Sequence, residues 1–450
     1  SLWIIPPSDI RIADGKIDIH KFRVGNEKQS LLLDGSISKN PADTLLMDLK
    51  QVELSYIFDI LNIPVLQFAG KATGTFNICD LYGSRMLNTD LEINDFSFNQ
   101  TPLGRLNLFS EWDDAQKGIL MLGSIYKNDT TWTDVSGYIF PVGQNAGLSL
   151  FFDANDINLG FLHPFVEKVA KNMKGRGFGN VHLHGPFKAL TVEGDAYVLD
   201  GGLGIEYTNT YYTFSDSIYM DAGSINMRDL TVHDEFGNPG TVNMSVYHNH
   251  FKDVSFDVNV KTKNMLFNAT RKLNPLIYGT VFGSGSASIK GNDKLINFDI
   301  NMRSDPKTSI TLDFINNTTA ADYDFITFMD KKQLKDLANG TLSRDSLKIV
   351  NNEEEEGAEM RMNFLLDITP DAKIELIMDP IAGDKITGNC SGSMQIEYGT
   401  KTDLRMYGNM GIVSGNYNFS LQQIIHKDFK IREGSAIDFR GDPFDATMHI

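Results

Sequence analysis

The side chains best placed by type and spacing for chemistry are His182 and His184, in Val181-His182-Leu183-His184. On a strand, two residues apart means one shared face, as a pair of metal ligands would need. A third ligand has to come from elsewhere, and His163 is the nearest candidate in sequence. The simpler account is a wet polar face with Val181 and Leu183 turned the other way, so no metal site is expected. Gly283-Ser284-Gly285-Ser286 matches no nucleophile motif and reads as the flexible start of a strand. There is no Gly-x-Ser-x-Gly elbow, phosphate-binding loop or His-Glu-x-x-His helix. With 58 Asp plus Glu residues, carboxylates meet by chance, and no glycosidase-like pair is singled out. Glu353-Glu354-Glu355-Glu356, Asn128-Asp129-Thr130 and Asn316-Asn317-Thr318-Thr319 read as solvated loops. Cys79 and Cys390 have neither CxxC nor zinc spacing, and two free, partly buried thiols are expected. No catalytic residue and no cofactor is assigned.

The elements available to position any of these residues are strands. Val254-Ser255-Phe256-Asp257-Val258-Asn259-Val260-Lys261 alternates apolar and polar without error, and so does Ile296-Asn297-Phe298-Asp299-Ile300-Asn301-Met302-Arg303. Leu404-Arg405-Met406 and Ile437-Asp438-Phe439-Arg440 continue the pattern. Period two gives each strand one apolar and one polar face, which suits antiparallel sheet wet on one side. Asp14-Gly15, between Ile10-Arg11-Ile12 and Ile17-Asp18-Ile19, predicts a tight hairpin. Helical pattern is confined to Tyr56–Leu61, Phe161–Met173 and, more weakly, Thr327–Leu337.

Val52-Glu53-Leu54-Ser55-Tyr56-Ile57 and Ile157-Asn158-Leu159-Gly160-Phe161-Leu162 lie 157 − 52 = 105 residues apart. The same offset relates Gly70 to Gly175, Gly74 to Gly179, Phe76 to Val181 and Ile78 to Leu183. Further Gly-x-x-x-Gly pairs occur at Gly279/Gly283 and Gly388/Gly392, where turn and bulge chemistry is the expected use. Four units are predicted, at 1–145, 146–250, 251–350 and 351–450. Together they predict an all-β, elongated, curled, mostly antiparallel sheet forming an open groove, with a few short helices.

The formal charge of −17 argues against nucleic acid and against docking on anionic headgroups by charge alone. No run of 18 apolar residues occurs. Ser1-Leu2-Trp3 and Thr447-Met448-His449-Ile450 both read as cuts within a longer chain.

The last forty residues carry a more specific pattern. Gly411-Ile412-Val413-Ser414-Gly415-Asn416-Tyr417-Asn418-Phe419 is followed by Phe429-Lys430-Ile431, then Gly434, Ile437 and Phe439, then Gly441-Asp442-Pro443. This resembles the C-terminal domain of the TamB family, within the wider AsmA-like, bridge-like lipid transfer group. Ser435 and Ala436 stand between Gly434 and Ile437, and the family pattern runs on past Ile450. The resemblance implies a periplasmic protein of a Gram-negative cell envelope, with an inner-membrane anchor outside this segment. It also implies a BamA-superfamily outer-membrane partner and a role in phospholipid transport, outer-membrane protein assembly, or both.

An apolar face that is not buried against another sheet can curl around a guest. Val254, Phe256, Val258, Phe298, Ile300, Met302, Leu404 and Met406 are the expected lining for lipid acyl chains, and 17 Met and 29 Phe suit variable cargo. Three rival readings remain. A closed, dry β-scaffold would bind its partner by its edges. An outer-membrane barrel would have to accommodate the helices and the repeat. A β-helical polysaccharide lyase would need an acid and Arg/Lys cluster, and none is found.

Overall fold

The computed structural model describes residues 3–56, 67–143, 146–166, 170–205, 208–270, 277–313, 358–379, 384–421 and 425–449. The chain divides into two compact units, the first comprising 1–206, 211–235 and 241–254, the second 207–210, 236–240 and 255–450. Among the described residues there are 26 strands and only short helical turns, so the all-β expectation holds.

The first unit holds β1 (Asp9–Ala13), β2 (Lys16–Gly25), β3 (Ser30–Ile37), β4 (Thr44–Glu53), β5 (Phe68–Cys79), β6 (Met86–Phe98), β7 (Thr101–Asp113) and β8 (Gly118–Asn128). It continues with β9 (Thr131–Phe140), β10 (Gly147–Asn158), β11 (Lys171–Pro186), β12 (Thr191–Ile205), β13 (Thr210–Asp221), β14 (Ser224–His233) and β15 (Pro239–Asn249). From β1 to β12 every strand pairs antiparallel with the next. The predicted hairpin is present: Ala13 pairs with Lys16, and Asp14 and Gly15 take φ of 52° and 74°. Two successive positive φ values make the tight turn whose twist matches its strands.

Bulges interrupt this meander at regular places. Lys21, Gln51, Asp200 and Asp229 all have φ near +50°, outside the ordinary strand region. Each donates its N–H to a side chain on the next strand, at Asp34 Oδ1 (3.2 Å), Thr73 Oγ1 (3.1 Å), Ser215 Oγ (3.0 Å) and Asn243 Oδ1 (2.9 Å) respectively. The extra residue has lost its ladder partner, and a small polar side chain supplies the acceptor. Such bulges bend and twist a strand. They also extend the 105-residue repeat, because Gln51 and Asp156 both carry positive φ, as do Asp95 and Asp200. Lys71–Asp95 (3.6 Å) and Arg176–Asp200 (3.0 Å) are equivalent ion pairs in the two copies.

Helix is shorter than the sequence pattern predicts. Leu54–Tyr56 are helical, and the rest of the first candidate lies outside the described residues. The second is a 3₁₀ turn, Leu159–Leu162, followed by α1 (His163–Val166), and Lys171–Met173 already belong to β11. Pairing with β12 outweighs local helical pattern there: Lys171 faces Gly204. The candidate at Thr327–Leu337, Glu353–Glu356 and the Asn316–Thr319 run lie outside the described residues. Asn128 Oδ1 accepts the Thr130 N–H in the predicted turn.

The second unit holds most of β16 (Lys252–Thr270, from Ser255 on), β17 (Ile277–Asn292), β18 (Leu295–Ser304), β19 (Ser309–Asp313), β20 (Glu359–Ile368) and β21 (Lys373–Asp379). Then come β22 (Asp384–Gly399), β23 (Thr402–Leu421), β24 (Ile425–Ile431), β25 (Ser435–Gly441) and β26 (Thr447–His449). The long strands β17, β22 and β23 each pair antiparallel with two shorter strands in series, β18 then β19, β20 then β21, and β25 then β24. Two pairings are parallel, β18 with β20 and β19 with β21, a departure from the antiparallel pattern. Pro306 and Pro370 stand at the two breaks, where a residue without N–H ends a ladder.

The breaks are tied together by hydroxyls. Thr308 is almost fully buried; its Oγ1 accepts the Phe282 N–H (3.1 Å) and donates to the Phe282 carbonyl (2.9 Å). Thr369 donates its N–H to Ser304 Oγ (2.9 Å) and its hydroxyl to the Ser304 carbonyl (3.0 Å). Replacing Thr308 with valine keeps the shape and removes the acceptor of the Phe282 N–H, while the Phe282 carbonyl still accepts the Asp305 N–H (2.9 Å). The expected loss is about 1–3 kcal/mol, read as a lower urea midpoint at constant m-value. An unchanged midpoint removes this role for Thr308.

Candidate functional site

In the first unit the apolar residues form lines that cross the strands. Reading partner to partner, one runs Val24, Leu31, Leu49, Gly74, Leu91, Leu108, Gly123, Val135, Phe152, Val181, Gly194. A residue two further along each strand lies on the same face. Thus Met47, Phe76, Met121, Leu150 and Leu183 belong to a second, parallel line. Leu49 and Leu91 are buried in a cluster with Val52, Leu54, Ala72, Ile93, Phe96 and Leu103. Phe161, from the 3₁₀ turn, packs against that cluster with its ring 5.5 Å from that of Phe98. Farther along the lines, Leu108, Val135, Leu150, Phe152, Val181 and Leu183 are only half-buried.

The second unit repeats the arrangement. Val260, Ala287, Ile300, Phe364, Ile396 and Met406 are in register across β16, β17, β18, β20, β22 and β23. The neighbouring line is Val258, Ile289, Phe298, Met362 and Tyr398. Of the eight residues expected to line an acyl-chain face, Phe256, Val258, Phe298, Ile300, Met302 and Met406 share this face. Phe256, Val258, Phe298 and Ile300 are half-buried, whereas Met302 and Met406 are buried. Leu404 packs at the margin of the adjacent cluster. Val254 falls in the first unit, 43% exposed, outside the register of these lines. Strand alternation could not show the partners Ile289, Met362, Phe364 and Ile396, because pairing is non-local.

Toward β25 the face closes on itself. Ile437 (0% exposed), Phe439, Ile412, Met410, Met406, Met394 and Ile431 form one buried cluster. The motif residues are its frame. Gly415 pairs with Ile431 and Tyr417 with Phe429, whose rings are 6.3 Å apart. Gly411 pairs with Ala436, and Gly441 with Met406. Phe419 follows on β23, Gly434 (φ 93°) makes the turn into β25, and Asp442 and Pro443 lead into a 3₁₀ turn at Pro443–Asp445. Cys390 lies in this cluster as a free thiol, pushed by burial up to about 11; Cys79 is free and half-buried.

The opposite face of the first unit is polar. Asp134, Asp153, Asn180 and Asp195 stand in register, and so do Phe151, His182 and Glu193. Phe109, Leu122 and Phe151 are exposed on this face, so it is less uniformly polar than alternation predicts. His182 and His184 share it, their rings stacked 4.3 Å apart, with Phe151 flat on His182 at 3.9 Å. His182 Nε2 is 2.9 Å from Ser149 Oγ, and His184 Nε2 is 2.8 Å from Glu193 Oε2. Burial first, and His184 beside it, hold the His182 imidazole below its usual value. The structure supplies Glu193 as the third neighbour, where the sequence offered His163. No spacing rule finds Glu193, because β11–β12 pairing brings it there.

Fold and site define a class: all-β sheet with in-register apolar lines on one face, and no helix among the described residues long and apolar enough to cross a membrane. Residues 228–450 match the family model of the TamB C-terminal domain. The C-terminal half of the chain therefore belongs to the TamB family, a cell-envelope family of the translocation and assembly module. No curated protein and no solved structure matches the chain.

Proposed function

We propose that the apolar face of each unit shields lipid acyl chains in the periplasm, supporting phospholipid movement between the inner and outer membranes or outer-membrane protein assembly. The observation that carries this reading is the in-register line of apolar residues, in part half-buried and in part buried, crossing six strands from Val260 to Met406 and, with glycine at three places, eleven strands from Val24 to Gly194. Exposing a 16-carbon chain to water costs on the order of 13 kcal/mol at about 0.8 kcal/mol per CH₂. A face that offers aliphatic and aromatic side chains on most of its strands offsets much of that cost, while the headgroup stays in water. In this reading each of the four repeat units contributes apolar strands, an inner-membrane anchor lies elsewhere in the protein, and a BamA-type outer-membrane protein is the partner. No residue acts as a catalyst.

Mass spectrometry of lipid extracts from gently purified protein tests the proposal. Phospholipid at about one or more molecules per chain is the expected result. Protein free of lipid, even when isolated from membranes in mild conditions, sinks it. A second reading, a non-catalytic scaffold that binds a BamA-type partner without lipid, is favoured by the filled cluster around Ile437 and Phe439. Partner capture that is undiminished after delipidation would favour it.

A further inference from the structure

We propose that His182, His184 and Glu193 bind one divalent ion of the zinc class on the polar face of the first unit. Alternation along β11 puts both imidazoles on one side, and the β11–β12 register places Glu193 directly opposite His182. One ligand atom from each of the three lies within 4.8 Å of the others. An ion held at about 2.0–2.2 Å from nitrogen and oxygen needs ligand atoms roughly 3–3.5 Å apart, so modest side-chain rotations close the site. Two imidazoles and one carboxylate suit zinc, cobalt, nickel or copper, whereas magnesium and calcium take oxygen ligands.

The site is partly set before any ion arrives. Phe151 fixes the His182 ring by stacking at 6° between planes, and Glu193 already faces His184. β11 is paired on both sides, with β10 and β12, so the ladder, rather than a loop, sets the spacing. Three protein ligands leave a fourth tetrahedral position to water. Ser149, now against His182 Nε2, is the neighbour the ion displaces or whose hydroxyl supports the bound water. Asp134, Asp153 and Asp195 in the adjoining row raise the local concentration of cations.

The test uses the whole chain, stripped with chelator and titrated separately with Zn²⁺ and Co²⁺. One equivalent of each is expected by calorimetry, with intense visible bands from tetrahedral Co²⁺. His182→Ala, His184→Ala and Glu193→Gln are each expected to weaken binding by at least about 10–100-fold, the loss typical of removing even an outer-shell partner. His20→Ala, remote on β2, is expected to leave affinity and spectrum unchanged. Where alanine loosens the stack on Phe151, His182→Gln keeps the volume and removes the ligand. The proposal is overturned by the absence of a one-equivalent phase. It is equally overturned by affinity that survives the His182/His184 double variant, or by Glu193→Gln binding like the parent.

Discussion

Replacing Phe256 and Phe298 together with glutamate is expected to strip the protein of bound phospholipid while leaving its β-sheet circular dichroism intact. Both side chains are half-buried on the apolar face of the second unit, on β16 and β18. Phe298 sits between Ile289 and Met362, and Phe256 opposite Gly291, so carboxylates there still reach water and the fold survives. An acyl chain on the same face does not tolerate them. It must either desolvate a carboxylate, at several kcal/mol, or lift away from the surface. Lifting two CH₂ groups costs about 1.6 kcal/mol, which is roughly a tenfold loss of occupancy for each point of blockade. Asn259→Glu with Asn301→Glu adds the same charge on the opposite, exposed face and is expected to change nothing. Lipid per chain, measured by mass spectrometry, is the readout. Occupancy that is equal in the two double variants would show that this face does not hold acyl chains.

The second large effect concerns a repeat glycine. Gly74 adopts φ +135°, and a Cβ added there would lie 2.0 Å from the Asp90 carbonyl oxygen on β6. Gly179, its equivalent 105 residues on, has φ +129° and would meet the Asp195 carbonyl at 2.4 Å. Alanine at 74 has to abandon both a backbone region that side chains rarely adopt and the close approach of two strands. The expected cost is about 3 kcal/mol or more. In a unit of this size that is a fall in Tm of roughly 6–12 °C. Gly123 lies on the same cross-strand line without positive φ, and a Cβ there would rest 3.5 Å from Leu106 Cδ1. Gly123→Ala is expected within about 1 kcal/mol of the parent, because the lost freedom of the unfolded chain favours it. Calorimetric midpoints of the two variants separate these cases, and equal midpoints would defeat the argument for Gly74.

These glycines mark the boundary of what the sequence reveals. Their spacing announced a repeat, and turn and bulge chemistry was the natural reading. In six of the eight, Gly70, Gly74, Gly175, Gly179, Gly279 and Gly392, the φ lies between +129° and +151°, within strands rather than in turns. Gly70 and Gly175 each fall at a register shift, as bulge chemistry expects, and non-glycine residues with positive φ stand at other bulges, at Lys21, Gln51, Asp156 and Asp200. Lys21, Gln51 and Asp200 donate their N–H groups to side-chain acceptors on the next strand, which no local pattern announces.

Period-two alternation, the Asp14-Gly15 turn, the 105-residue repeat and the Gly411–Pro443 motif were legible in the chain alone. Each depends on neighbours within a few residues, or on copies of one local pattern. They were enough for the all-β class and for the family of residues 228–450. Tertiary structure decided which strand lies beside which, because hydrogen-bond partners are remote in sequence and a ladder accepts any apolar strand of the right length. It alone chose the parallel joining of β18 to β20 and the placement of Phe298 against Met362. It converted Lys171–Met173 from helical pattern to strand, and it set Glu193 beside His182 and His184. Local preference is worth a few tenths of a kcal/mol per residue, and cross-strand pairing and burial exceed it wherever the two disagree.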